Sequence, residues 1–256
     1  MTRYLFVGGL HRSGTSILAR LIAGHPDVAA IAGSPAPENE GCYLQGAIPH
    51  TALHGRPMHY ATDPDQHHVE GGRYDNLEVR ARLDADWSAW FDPSKTWRLE
   101  KSPVNLTRMR LYQQLFPMCQ FVVVIRHPEM VAAAVAKWVT APSAALVDHW
   151  IAAHRRLLGD LPFLHSVCVL RYEDLCRDPA ATVSGIHRFM DLPPASDTIE
   201  ETIRNGNAEY AQVSGLAEDL CDWGYGPGGR VDPWTPIVRH PLRATRDAVV
   251  LALPGQ

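Results

Sequence analysis

The run Gly8-Gly9-Leu10-His11-Arg12-Ser13-Gly14-Thr15-Ser16 carries the chemistry of an anion site. Glycines let the backbone wrap closely around a ligand, the hydroxyls of Ser13, Thr15 and Ser16 add donors, and Arg12 adds a fixed positive charge. The loop follows an apolar run at Tyr4 to Gly8 and precedes a helical pattern, so the free N–H groups of a helix N-terminus point at the bound anion. One residue type is missing. A nucleoside-triphosphate loop, Gly-x-x-x-x-Gly-Lys-[Ser/Thr], needs lysine after its second glycine, and counting from Gly9 places Thr15 there. The loop therefore suits a nucleotide with a single 5′-phosphate beside its reactive group better than a triphosphate with magnesium.

A phosphate loop works only if a strand and a helix hold it, and the surrounding pattern supplies both. Short β-branched apolar runs alternate with longer helical patterns, which predicts an α/β fold with a central parallel sheet flanked by helices. Strands are expected at Tyr4–Gly8, Trp97–Glu100, Gln120–Ile125 and Val167–Leu170; the continuous apolar run from Phe121 fits a strand buried on both faces. Helices are expected at Thr15–Ala23, Asn105–Phe116, Pro128–Trp138, Ala144–Leu158 and Pro179–Met190. Two stretches break the pattern, near 32–87 and 206–241. The first is rich in Pro, Gly, His and acidic residues and too long for an ordinary connection, and the second carries Gly-Tyr-Gly-Pro-Gly-Gly-Arg at Gly224–Arg230, so both are expected to shape a substrate pocket.

Four motifs in order resemble those of the PAPS-dependent sulfotransferases, where PAPS is 3′-phosphoadenosine 5′-phosphosulfate. The Arg12-Ser13-Gly14-Thr15 loop resembles the family's 5′-phosphosulfate loop in the form seen in protein-tyrosine sulfotransferases and bacterial relatives. Val123-Val124-Ile125-Arg126-His127-Pro128 resembles the 3′-phosphate motif, Leu99-Glu100-Lys101-Ser102-Pro103 the Glu-Lys-[Thr/Ser]-Pro segment, and Leu170-Arg171-Tyr172-Glu173-Asp174-Leu175 the later Tyr-Glu-Asp-Leu strand end. Together they anchor the chain from Arg3 to Met190. The resemblance implies a P-loop-like sulfotransferase fold and in-line transfer of a sulfuryl group from PAPS to a hydroxyl or amine of a small molecule or glycan, leaving PAP. It further implies that Arg12, Ser13, Gly14, Thr15 and Ser16 hold the 5′-phosphosulfate, that Arg126 reads the 3′-phosphate, that Tyr172 stacks on adenine, and that Lys101 contacts the transferring sulfonate. A catalytic glutamate is expected in Pro37-Glu38-Asn39-Glu40; neither spacing nor charge separates Glu40 from Glu38, and Glu40 is taken as the base. Histidine bases occur in the wider family, and His11, His50, His54, His59, His67 and His68 are available. The chain departs from the pattern at Ala134, eight positions after Arg126, where many members carry a phosphate-binding serine; Lys137, Arg204 or Arg230 could supply charge instead.

Composition sets the outer bounds. With 256 residues, 46% hydrophobic and 20% charged, one sulfotransferase domain spanning 1–256 is expected. The formal charge of −4 gives no bulk attraction to nucleic acid or anionic membrane. No apolar run approaches a membrane span or a signal peptide's hydrophobic region, and five scattered cysteines form no Cys-x-x-Cys pair, so a cytoplasmic protein is expected. His67-His68 with Glu70 makes a poor metal site, because adjacent loop histidines point apart; no metal is expected. The competing readings are a small-molecule kinase with an altered phosphate loop and a nucleotide-binding regulator without catalysis.

Overall fold

The computed structural model describes residues 3–50, 58–193, 203, 205–207 and 215–254. Its centre is a sheet whose strands are β1 (Arg3–Gly8), β2 (Val28–Ala30), β3 (Trp97–Lys101), β4 (Gln120–Ile125) and β5 (Val167–Arg171), all parallel, with an antiparallel strand at one edge. That last strand is Ile237–Arg239, β8 once the two-residue pair β6 (Tyr225–Gly226) and β7 (Arg230–Val231) is counted, and the sheet order is β2-β3-β1-β4-β5-β8. The sheet is thus mixed where a parallel one was expected. Ile237–Arg239 is too short, and too close to Pro and Gly, to declare itself in the sequence.

Alternation along the strands divides the interior into two layers. In β1, Phe6 faces a layer with Phe121, Trp87, Tyr112 and Trp150, while Leu5 and Val7 face one with Leu18, Val122, Val124 and Leu170. β4 is buried throughout, as its unbroken apolar run requires. Helix α1 (Thr15–Ile22) packs Leu18, Leu21 and Ile22 into the second layer and stops before Gly24. Leu18 is completely buried, so Leu18→Ala would cost about 2–5 kcal/mol. The helices α2 (Leu77–Ser88), α3 (Met109–Leu115), α4 (Pro128–Val135) and α5 (Ser143–Asp160) follow in chain order, then α6 (Tyr172–Arg177), α7 (Pro179–Phe189) and α8 (Arg243–Ala252).

Several boundaries differ from expectation for identifiable reasons. The helix expected at Asn105–Phe116 is split: Pro103–Thr107 makes a tighter turn and α3 starts at Met109, because Asn105 spends its side chain on strand carbonyls and a carboxylate. α4 ends at Val135, short of Trp138. α2 (Leu77–Ser88) lies inside the stretch expected to be irregular; only Leu83 and Trp87 on it are buried, so its apolar period is faint, and Asn76 caps it by accepting from the Val79 N–H at 2.9 Å. Among the described residues, no helix is long and apolar enough to cross a membrane.

Candidate functional site

Parallel register brings the strand ends to one edge. Val7 lies opposite Lys101, Gly8 opposite Val123 and Ile125 opposite Arg171, so the residues after β1, β3, β4 and β5 converge where open α/β sheets bind ligands.

The loop after β1 is shaped by its glycines. Gly9 has φ 149°, and a Cβ there would meet the Val124 carbonyl oxygen at 2.4 Å; Gly14 has φ 99°, and a Cβ would meet the Tyr172 ring at 2.5 Å. Both positions require glycine. Gly14 opens α1 without any side-chain cap, so the first N–H groups of the helix are left for a ligand. Ser13 is fully buried and its Oγ has no hydrogen-bond partner among the described residues; Thr15 is buried and Ser16 exposed. Arg12 is exposed, its guanidinium 5.4 Å from the centre of the Trp138 ring. Its backbone is left-handed (φ 67°), and its carbonyl accepts from Arg126 Nη1 at 2.9 Å. The loop and the end of β4 are therefore one unit.

Arg126 is buried and oriented from three sides. Besides the Arg12 carbonyl, Asn207 Oδ1 accepts from its Nε at 2.8 Å, and its guanidinium lies 4.5 Å from the centre of the Tyr172 ring. Tyr172 thus gives one face to Arg126 and an edge to Gly14. Burial, followed by a hydrogen bond with Cys176, pushes its phenol up to about 12, so it stays neutral. Asn207 is fixed in turn by Glu173, which accepts from Asn207 Nδ2 (2.8 Å), the His127 N–H (3.0 Å) and the Tyr225 hydroxyl (2.8 Å). Buried Glu129 accepts from the Leu216 and Gly229 N–H groups at 3.2 and 2.8 Å. Two buried carboxylates thus strap the C-terminal region over this edge.

On the other flank, Lys101 Nζ donates to Glu40 Oε1 at 3.0 Å, with both side chains buried. Burial pushes the Glu40 carboxyl above its ordinary range and Lys101 pulls it back. Three bonds hold the segment that carries Glu40. Glu100 Oε1 accepts from the Gly41 N–H at 2.9 Å, Ser102 Oγ accepts from the Cys42 N–H at 3.0 Å, and Trp87 Nε1 donates to the Gly41 carbonyl at 2.9 Å. Glu100 is fully buried and also accepts from Ser102 and Asn105; burial raises its carboxyl despite these donors. Glu38 is exposed instead, in a left-handed turn (φ 52°), on a cleft of about 610 Å³ that Ser16, Leu99 and Lys101 also line.

The residues singled out in the sequence fall into three sets. Arg12, Ser13, Gly14, Thr15, Ser16, Arg126 and Tyr172 form one cluster, Lys101 and Glu40 form a pair beside it, and Glu38 lies on the rim. Lys137 is exposed beyond the end of α4, next to Trp138. Ala134 is buried within α4. Arg230 pairs with Asp219 at 2.6 Å and Asp232 at 3.1 Å, which commits its charge elsewhere, and Arg204 and His54 lie outside the described residues. His67 bonds Asp160 at 2.7 Å, and among the described residues no group of three or more His, Cys, Asp and Glu could hold a metal ion. The supporting residues Glu100, Trp87, Glu173 and Asn207 were not foreseen.

The model of the sulfotransferase family matches residues 5–197, and the chain belongs to that family. The fold agrees with a solved member, the sulfotransferase STF9 from Mycobacterium avium, at a TM-score of 0.53 and 14% identity over 76% of this chain and 65% of that one. A sulfotransferase from Alicyclobacillus acidocaldarius is 20% identical, with a TM-score of 0.48 over 78% of this chain and 85% of its own. The sulfotransferase STF1 from Mycobacterium tuberculosis H37Rv is 18% identical, with a TM-score of 0.49 over 77% and 69%. No curated protein sequence matches the chain significantly. The chain is a sulfotransferase, an enzyme of the PAPS-dependent class.

Proposed function

We propose that the enzyme moves a sulfuryl group from PAPS to a hydroxyl or amine of a small molecule or glycan. The acceptor oxygen or nitrogen attacks sulfur, the bond between sulfur and the bridging oxygen of the phosphosulfate breaks, and PAP leaves with the negative charge. Charge in such an in-line displacement spreads over oxygens, so positioning and electrostatics carry the rate. Arg12, Ser13, Gly14, Thr15 and Ser16 hold the 5′-phosphosulfate at the start of α1. Arg126 reads the 3′-phosphate, with Lys137 as a more distant contributor of charge, and Tyr172 backs the Arg126 guanidinium while its ring edge borders the adenine. Lys101 neutralises charge on the leaving oxygen, and Glu40 takes the acceptor's proton.

The observation that carries this reading is the buried Lys101–Glu40 pair at the same sheet edge as a glycine- and hydroxyl-rich loop with an orphaned Ser13 hydroxyl. A mere nucleotide-binding regulator has no use for the pair, and a triphosphate kinase needs the lysine that Thr15 replaces. The test is thermal stabilisation by PAP compared with ATP and magnesium, followed by a mass-spectrometric screen of acceptor hydroxyls and amines with PAPS. PAP raises Tm in proportion to RT ln(1 + [L]/Kd), and ATP with magnesium leaves it nearly unchanged. The reverse order overturns the assignment.

A further inference from the structure

Two polar atoms of the phosphate loop are buried without a hydrogen-bond partner among the described residues: Ser13 Oγ and His11 Nδ1. Buried polar groups are almost always paired, so two orphans separated by one residue in an anion-shaped loop mark where a ligand's acceptor atoms belong. Orphaned ring nitrogens also occur at His50, His68, His149 and His154, but none of these stands in the phosphate loop beside the start of α1. The His11 ring is held by aromatic contacts, 5.8 Å from Tyr60 and 6.1 Å edge-on to Trp138. Tyr60 is itself anchored, its hydroxyl donating to the Gly9 carbonyl at 2.8 Å. The imidazole is placed, and its buried Nδ1 has no partner among the described residues.

The charged and titratable groups around it come from every neighbouring element. Lys101 reaches it from β3 with Glu40 on its ammonium, His50 and the buried, neutral Tyr60 phenol stand on the far side, and Arg12 follows in the chain. Burial first, then Lys101, holds the imidazole down to about 4, so in the free protein it is neutral at neutral pH. An anion in the loop reverses the local field, and an opposite charge within ~4–6 Å raises such a group by about 1–3 pH units.

We propose that His11 is a direct contact for the donor's phosphosulfate group, and that it takes up a proton from solvent as that anion binds, donating beside Ser13 as an imidazolium. The proposal rests on the sulfotransferase reading and adds to it a proton-coupled cation in the donor site. By reciprocity, donor affinity must then rise as the pH falls through the range in which His11 titrates.

The experiment is calorimetric titration of PAP into the enzyme and into His11→Gln at about pH 5.5, in two buffers of different ionisation enthalpy, where a histidine raised by about 1–3 units is changing charge. The glutamine variant subtracts the protons that the nucleotide's own phosphates exchange. The wild type is expected to take up at least about 0.2 more protons per PAP than His11→Gln, and to lose affinity more steeply towards pH 7. Equal proton counts, or parallel affinity profiles, overturn the proposal. If His11→Gln does not fold, the imidazole resonance that titrates near 4 in the wild type decides: it must move up by about one unit or more with saturating PAP. A wild type that binds no PAP at all overturns the donor assignment itself, a separate failure from binding without proton uptake.

Discussion

The loop at Gly8–Ser16 and the segment at Glu38–Tyr43 flank the same sheet edge but are built by opposite means. The loop is contiguous, and its shape follows from its own glycines at Gly9 and Gly14. Its first helix N–H groups and its hydroxyls arrive together because the chain has just left one strand and entered one helix. The second segment has little shape of its own. Glu40 is brought to Lys101 by Glu100, Ser102 and Trp87, which stand between 46 and 60 residues away from their partners in the chain. Local chemistry thus makes the proposed donor loop, whereas tertiary packing makes the proposed catalytic pair.

The sharpest way to break the comparison is at the pair. On the proposed mechanism Lys101→Ala removes the charge that faces the leaving oxygen, and preorganised charges of this kind contribute about 100- to 1,000-fold in turnover. Turnover should fall by that factor while PAP affinity, measured calorimetrically, changes by less than about threefold. The same change leaves Glu40 buried without the cation that pulls its carboxyl down, so its carboxyl shifts further upward and the proposed base is weakened as well. A Lys101→Ala/Glu40→Gln double variant should therefore be little worse than the poorer single variant. Additive losses would mean that the two residues act separately.

At the end of β4, which is tied to the Gly8–Ser16 loop through the Arg12 carbonyl, the expected effect is on binding. Arg126→Gln loses hydrogen bonds from a charged donor, each worth about 1.5–3 kcal/mol, so PAP affinity should fall about 10- to 150-fold. Adenosine 5′-phosphosulfate, which lacks the 3′-phosphate, should bind both proteins within about twofold. Equal losses for both nucleotides would mean that Arg126 acts by holding the Arg12 carbonyl, and so the loop, rather than by reading the phosphate.

The asymmetry also decides how much was legible in the sequence. Gly9, Gly14, Ser13 and Arg126 stood out because they fall in short motifs at predicted strand ends, although what demands glycine at positions 9 and 14 is distant in the chain, the Val124 carbonyl and the Tyr172 ring. The strand run at Phe121 and the helix at Thr15 were equally clear, since periodicity is a local property. Between Glu38 and Glu40 the sequence offered no choice. The difference between them is the Gly41 N–H on Glu100, a contact spanning 59 residues. For the same reason the antiparallel strand Ile237–Arg239 was not visible: a three-residue strand exists through its partner β5, not through its own pattern.

A smaller effect tests the burial of the pair. The Glu40 carboxyl is raised in the folded protein by burial, so its contribution to stability is fully present below its unfolded value and is lost as pH rises through the folded value. Glu40→Gln removes that group, and the fall in stability with rising pH above the ordinary carboxylate range should become shallower by less than one proton's worth. Urea unfolding at a series of pH values measures this. An unchanged slope would place the Glu40 carboxyl at its ordinary value and leave Glu100 as the group that burial raises.

The smallest expected effect is at Glu38, and its size is what makes it informative. Glu38 stands two residues from Glu40, carries the same carboxyl and lines the same cleft as Lys101. A carboxylate's value as a base depends on reaching the acceptor's proton within hydrogen-bond distance and on a raised affinity for it. Glu38 is exposed, and among the described residues no hydrogen bond or ion pair is seen to its carboxylate. Glu38→Gln should therefore keep turnover within about twofold, against the loss of about 100-fold or more expected for removing a positioned base. Its backbone gives a second, independent handle. At φ 52° a residue with a Cβ is strained by roughly 1 kcal/mol, so Glu38→Gly should retain activity and raise stability by up to about that amount, less the extra entropy glycine gives the unfolded chain. An inactive Glu38→Gln with a normal melting temperature would transfer the base by two residues and make the Lys101–Glu40 pair a structural tie. An inactive Glu38→Gly beside an active Glu38→Gln would show instead that the strained turn, not its carboxylate, is what the cleft requires.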